Sequence, residues 1–186
     1  MKRNKFLLTL AAIAPLAAFA RIKKVLSRND KGFKVANGEG RIHGHMKLKG
    51  VNSNILDLKV SGSDTDGALA IFEQTSVSPK RGTPLHVHPN QDEIFYVLFG
   101  EYFFQVGNDK HKLKAGDSIF LPRKVPHAWT QVSESGKMMV VLQPAGKLEE
   151  FFVTMSELET EPTKEEIAKM FLDHDMEIVG PGLKVE

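Results

Sequence analysis

The sequence predicts an all-β domain, a sandwich or closed barrel, followed by a helical extension. Three observations predict it. Short β-rich runs recur at regular spacing through the middle of the chain, Gly, Asn, Asp and Pro turns separate them, and the helical signal lies in an acidic tail. The 186 residues, 41% hydrophobic and 26% charged, suit one domain with extensions and a buried core.

In chain order, residues 1–20 read as an export leader. Lys2, Arg3 and Lys5 make a basic start, an apolar run follows, Pro15 breaks it, and Ala18-Phe19-Ala20 has the small-x-small form that precedes cleavage. Cleavage after Ala20 is expected, with Arg21 as the mature N-terminus, and it takes the formal charge from +2 to −1. The chain is therefore expected to be exported, periplasmic or secreted, with no stable membrane span after cleavage. The alternative is an uncleaved leader that tethers the chain, although the run is short and alanine-rich for a span. Cysteine is absent, which excludes disulfides, thiolate nucleophiles and cysteine metal ligands.

Residues 21–54 are expected to form a basic linker and N-terminal strands, broken by Gly38, Gly40, Gly44 and Gly50. Residues 55–145 carry the regular pattern, with strands predicted at 55–60, 68–77, 93–99, 102–106, 110–114, 118–121, 128–132 and 138–142. Gly107-Asn108-Asp109 marks a hairpin. Residues 146–186 form the acidic extension, in which one helix is predicted. Thr163 caps it, Glu166 closes a capping box, and Ile167, Met170 and Phe171 give a narrow apolar face. That face is expected to pack on the barrel or on a partner chain. The small net charge makes no case for nucleic acid, and no helix-turn-helix pattern precedes the barrel.

The chemistry-bearing residues are two imidazoles on one face of a strand, His86 and His88, then Glu93 opening the next strand, and His127 after the rigid turn 122–126. A closed barrel can bring two such distant hairpins together in its interior. Three imidazoles and one carboxylate suit one divalent transition metal, with Fe, Mn, Ni, Co, Cu and Zn all compatible. Free coordination positions would remain for water, oxygen or substrate.

These residues carry a resemblance. His86-x-His88-x4-Glu93-x6-Gly100 is similar to the first cupin motif, and Gly116-x5-Pro122 followed by His127 is similar to the second. The resemblance implies a jelly-roll β-barrel with His86, His88, Glu93 and His127 as metal ligands. Three positions depart from the motifs. Lys80 stands where the family has its leading Gly, with Gly82 nearby; Lys124 replaces a Gly of the second motif; and Gln131 replaces its terminal Asn. Residues 84–89, 92–97 and 116–122 further resemble the small quercetin-dioxygenase-like cupins. That likeness implies a metal-dependent dioxygenase acting on a flavonol or catechol-like small molecule, with Glu93 as catalytic base. The alternatives are a non-catalytic module for a metal or small ligand, and a cupin-type sugar or keto-acid isomerase. Small cupins also resemble one another in pairing through their sheets, so a homodimer is an expectation.

Other residues read more simply. His43-Gly44-His45 is a second His-x-His pair, but no acid follows until Asp57 and no second motif accompanies it. His111 and His174 read as surface residues, and Asp92 as solvated or held in a turn. Arg81 and Arg123 read as loop charges. Trp129 shares a face with His127 and either walls the cavity or packs in the core.

Overall fold

The fold is described from a computed structural model for residues 30–185. The predicted leader and nearly all of the basic linker lie outside the described residues. Among the described residues, eleven strands form two antiparallel sheets. The first holds β1 (His45–Lys47), β2 (Ile55–Val60), β3 (Ala70–Ser76), β5 (Asp92–Phe99), β8 (Ser118–Leu121) and β10 (Gly136–Gln143), in the order β1-β2-β3-β10-β5-β8. The second holds β4 (Leu85–Val87), β6 (Glu101–Val106), β7 (Asp109–Lys114), β9 (His127–Gln131) and β11 (Glu177–Gly180), in the order β11-β4-β9-β6-β7. Together they make the expected jelly roll.

Period-two alternation decides what faces inward. Along β3, Ala70, Phe72, Gln74 and Ser76 are buried while their neighbours are half-exposed. Glu93, Phe95 and Val97 of β5 point inward with Met138, Val140 and Leu142 of β10. Each fully buried Leu, Val or Phe side chain contributes roughly 1.5–3 kcal/mol. Tyr102 of β6 crosses the barrel to donate a hydrogen bond to Ser76 Oγ of β3 at 2.9 Å, and burial pushes its phenol up to about 12. That bond ties one sheet to the other through the core.

The tail differs from expectation. It carries two helices, α1 (Leu148–Glu157) and α2 (Lys164–Asp173), where the sequence predicts one, and it ends in a strand that joins β4. For α2 both the Thr163 cap and the reciprocal Glu166 bond form as predicted. The first helix lacks that signal, because Lys147 at its start makes no side-chain cap. What holds α1 is burial of Leu148, Phe151 and Met155 at helical spacing. The short β11 offers almost no sequence pattern of its own.

The two helices close one end of the barrel. Phe151 meets Phe171 with ring centroids 5.1 Å apart, and Phe152 meets Phe72 of the barrel at the same distance. Acidic residues of the tail are bound rather than simply solvated. Glu149 accepts from Ser61 Oγ at 2.8 Å and meets His43 Nε2 at 3.0 Å, and Glu161 accepts from the Gly50 amide at 2.9 Å. His174, expected on the surface, is buried. Its Nδ1 donates to Met170 O at 2.7 Å, closing α2, and its ring packs on Phe151. No helix among the described residues is long and apolar enough to cross a membrane.

Phe171 is 2% exposed and Leu172, one residue on, is 61% exposed. Phe171→Ala is therefore expected to cost roughly 3 kcal/mol of unfolding free energy, and Leu172→Ala less than about 0.5 kcal/mol. Denaturant melts of the two variants measure the difference. Equal midpoints would mean that the tail does not stabilise the barrel.

Candidate metal centre

Strand pairing assembles the site. His86 in β4 lies directly opposite His127, the first residue of β9. His88 follows β4, and Glu93 enters from β5 in the other sheet, between Leu121 and Leu142. The ring centroids of His86 and His127 are 4.5 Å apart, and His88 lies 5.0 and 5.2 Å from them. Ligand atoms from all four residues fall within 4.8 Å of one another, and all four side chains are buried.

The local backbone fixes which ring nitrogens face the centre. His86 Nδ1 donates to Pro84 O at 2.9 Å, and His127 Nδ1 donates to Val125 O at 3.0 Å, in each case two residues back along the chain. A carbonyl oxygen only accepts, so each Nδ1 carries a proton, and the neutral tautomer that each bond selects is the one with its lone pair on Nε2. His88 reaches the same state less directly. Gln91 Nε2 donates to Pro144 O and Ala145 O, both at 2.7 Å, which turns Gln91 Oε1 toward His88 Nδ1 at 3.1 Å. The His88 and His127 Nε2 atoms are then buried without a hydrogen-bond partner. Their nearest acidic oxygens, on Glu93, are 3.7 and 3.4 Å away and are acceptors themselves.

Lone pairs converging on an ionised carboxylate repel one another in a buried site unless a cation sits among them. The donor set therefore fits a divalent metal, and the four residues could hold one. The electrostatics agree. Burial, then the neighbouring His127 and His88, push the His86 imidazole down to about 3, so it stays neutral. Burial also lowers His88, against the pull of Glu93. For Glu93, burial works to raise the carboxyl, but positive charge at the His88, His127 and His86 cluster, the place a metal ion would take, outweighs it and holds the group below the usual carboxylate range.

Two features around the ligands are not readable as such in the sequence. Asp92 and Arg123, expected as a turn acid and a loop charge, form a forked ion pair, with Nε to Oδ1 at 3.1 Å and Nη2 to Oδ2 at 2.5 Å. The Arg123 amide also donates to Asp92 Oδ1, and the Lys124 amide donates to His88 O at 2.8 Å. These bonds brace the loop carrying His88 and Glu93 against the loop carrying His127. Lys124 holds a left-handed φ of 67° to present that amide, and Lys80 has φ 61°. Both are the positions where the motifs expect Gly, so the turn geometry survives with a less comfortable residue. Gly82 is required for another reason, since a Cβ there would overlap the Trp129 carbonyl. Gln91 carried no motif signal at all.

The second His-x-His pair does not assemble. His43 meets Glu149, while His45 Nδ1 meets Asp57 Oδ1 at 2.7 Å on its own, and its pKa is raised by that bond. Trp129 does wall the cavity, with Phe95, Phe151, Phe171, His86 and Glu93. That cavity has a volume of about 60 Å³, roughly twice the liquid volume of one water. Phe171 of α2 stands edge-on over His86, with centroids 5.4 Å apart.

A two-sheet antiparallel barrel with three imidazoles and one carboxylate buried inside defines a jelly roll whose donor set could hold a metal. Residues 74–142 match the family described as "Cupin domain", so the central stretch of the barrel carries a cupin domain. An uncharacterized protein of Methanocaldococcus jannaschii is 42% identical over 45 residues, which is 24% of this chain and 36% of that protein. An uncharacterized protein of Aquifex aeolicus is 27% identical over 88 residues, 47% of this chain and 68% of that one. The chain thus spans about a third of the first relative's length. Among solved structures, an RmlC-like cupin from Shewanella frigidimarina is 17% identical with a TM-score of 0.48, covering 64% of this chain and 96% of that one. A cupin 2 conserved barrel domain protein from Leptotrichia buccalis is 24% identical with a TM-score of 0.42, covering 48% and 40%.

A ligand bound to the folded state alone stabilises it. Loading with Mn²⁺, Co²⁺ or Zn²⁺ is expected to raise the melting temperature, and chelation to reverse the rise. His127→Ala should abolish the difference, while His43→Ala keeps it. Gln91→Leu should weaken metal affinity roughly 10–100-fold through the lost orientation of His88. Titration with elemental analysis measures each case, and loss of metal in His43→Ala would reassign the site.

Proposed function

We propose that the chain holds one divalent transition ion on His86, His88, Glu93 and His127 and acts as a dioxygenase on a small enolised or catechol-type aromatic. The reading is carried by the two orphaned Nε2 atoms, of His88 and His127, that lie near the buried Glu93 carboxylate, which with His86 lines a mostly apolar cavity. When bound, such an ion supplies Lewis acidity toward an oxygen-bearing substrate and, in its redox-active forms, electron transfer with dioxygen. His86, His88 and His127 serve as neutral ligands oriented by their Nδ1 bonds. Glu93 accepts the substrate hydroxyl proton on a carboxylate oxygen. Phe95, Trp129, Phe151 and Phe171 exclude water from the reacting atoms.

The cavity narrows the substrate class. About 60 Å³ admits dioxygen and a small group, whereas a flavonol needs the α1–α2 cap to move. The same small volume favours a second reading, a metal-binding cupin module without an organic substrate. An isomerase of sugars or keto acids is less well served, because Asn52, Gln74 and Thr83 are the main polar wall groups beside the ligands.

Glu93→Gln keeps the size and one oxygen donor but removes charge and basicity. It is expected to retain metal on the three imidazoles and to lose about 10²–10⁴-fold in oxygen consumption per bound metal. An oxygen electrode measures this, after a screen of catechols, enols and flavonols against several reconstituted metals. If no metal form consumes oxygen, the non-catalytic reading replaces the dioxygenase. If Glu93→Gln keeps full activity per metal, Glu93 is a ligand and not the base.

We further propose that two copies pair through the outer face of the six-stranded sheet. Ile94, Tyr96, Leu98, Phe120 and Met139 are exposed there, with Ile94 opposite Phe120 and Tyr96 opposite Met139. Sedimentation should show a dimer that Tyr96→Lys converts to monomer. A monomeric parent chain would remove the pairing.

A further inference from the structure

The metal cavity has a much larger neighbour. A groove of about 580 Å³ lies between the start of α2, the segment 80–84 and the segment 181–184. That is within the range of small-molecule sites, roughly 300–1,000 Å³. Val51 and Thr83 line both the groove and the metal cavity. The face of α2 also spans the two, since Ile167 lines the groove and Phe171, one turn on, lines the cavity. Pro84, whose carbonyl orients His86, is a third link.

The groove has a consistent charge. Lys80, Arg81, Lys164 and Lys184 line it, and among the described residues no acidic side chain does. Among the described residues, none of these four cations has a carboxylate within 4 Å. This is unexpected in the tail, where residues 149–186 carry eleven acids and three lysines, yet two of those lysines line this groove. Glu166 of the same helical turn is folded back onto the Thr163 amide. Arg81 is held in place by Nη2 bonds to Gly50 O and Val51 O, at 3.0 and 3.2 Å. Its Nε and Nη1 donors are not used by those bonds. Between the cations the walls are apolar, with Val51, Ile167, Ile178 and Leu183.

We propose that this groove binds a small organic anion with an apolar body, and that the body reaches the metal cavity between Val51 and Thr83. Unneutralised cations over an apolar floor match a carboxylate head on an apolar body better than a neutral or purely ionic molecule. The groove then supplies the volume and the charge recognition that the metal cavity lacks. The assignment deepens the metal-enzyme reading by naming its substrate class, and it rests on that reading for the reaction alone.

The test uses octanoate as probe with the full chain, followed by amide NMR. Octanoate should shift the resonances of Val51, Thr83, Ile167 and Ile178 saturably, with or without metal. Octan-1-ol and inorganic phosphate should bind at least about tenfold more weakly. Lys164→Glu/Lys184→Glu should weaken octanoate about tenfold or more at unchanged melting temperature, and added salt should weaken it in the parent chain. Equal binding of octanol, equal binding by the double variant, or no octanoate shift overturns the groove as an anion site. In the Mn²⁺-loaded chain the octanoate methyl signal should broaden more than the methylene beside the carboxylate, and Zn²⁺ should cause no such broadening. Binding without that gradient overturns the route to the metal cavity. A chain that takes up no Mn²⁺ overturns the metal reading and with it the route, while the binding measurements still decide the groove.

Discussion

Because β4 and β9 pair through His86 and His127, two hairpins distant in sequence must deliver their imidazoles to one point. Everything else near the centre is arranged around that pairing. Glu93 comes from the opposite sheet, so the site spans the barrel interior and depends on both sheets holding their register. A slip of one residue in β5 would turn Glu93 outward and Ile94 inward. The Asp92–Arg123 fork, at the first residue of β5, resists such a slip from the rim, while Tyr102, bonded across to Ser76, ties the two sheets together inside.

The tautomers come from the same constraint. His86 and His127 each bond a carbonyl two residues earlier, so the turn that delivers the ring also sets its proton. Each of these turns brings a proline close to its ring, with Pro84 supplying the carbonyl for His86 and Pro126 standing directly before His127. His88 lacks a local carbonyl and borrows its orientation from Gln91, which is anchored in turn on the segment after β10. Four buried polar groups that repel one another in the absence of a cation are an arrangement a stable core avoids without a use for it.

Most of the barrel was legible because its signals are local. Alternation and turn residues place the central strands, and 55–60 and 118–121 agree with β2 and β8 to the residue. The cluster of His86, His88, Glu93 and His127 was legible because two motifs stand in register. What stayed hidden depends on tertiary context. Gln91 matters through carbonyls more than fifty positions away, and a single sequence carries no mark of that. Arg123 and Asp92 look like ordinary loop charges until the two loops meet. The first tail helix has no cap to announce it, and β11 is too short for periodicity. His174 misled because its neighbours are charged, although its ring covers Phe151.

The tail is the part whose burial and charge connect most directly to function. A barrel with an open end exposes its interior, and here α1 and α2 fill that end with Phe151, Met155 and Phe171. Closing it leaves little room beside the metal ligands, so whatever reacts there is either small or enters as one end of a larger molecule. The adjoining groove is bounded by the same helix that closes the cavity. Stability and access are therefore set by one element. On the proposed route at Val51 and Thr83, tighter packing of α2 would strengthen the cap and narrow the way in, while looser packing would widen it and let water reach the buried imidazoles. The partly buried Ile167 and Met170, beside the fully buried Phe171, give α2 a graded rather than an all-or-none hold on the barrel.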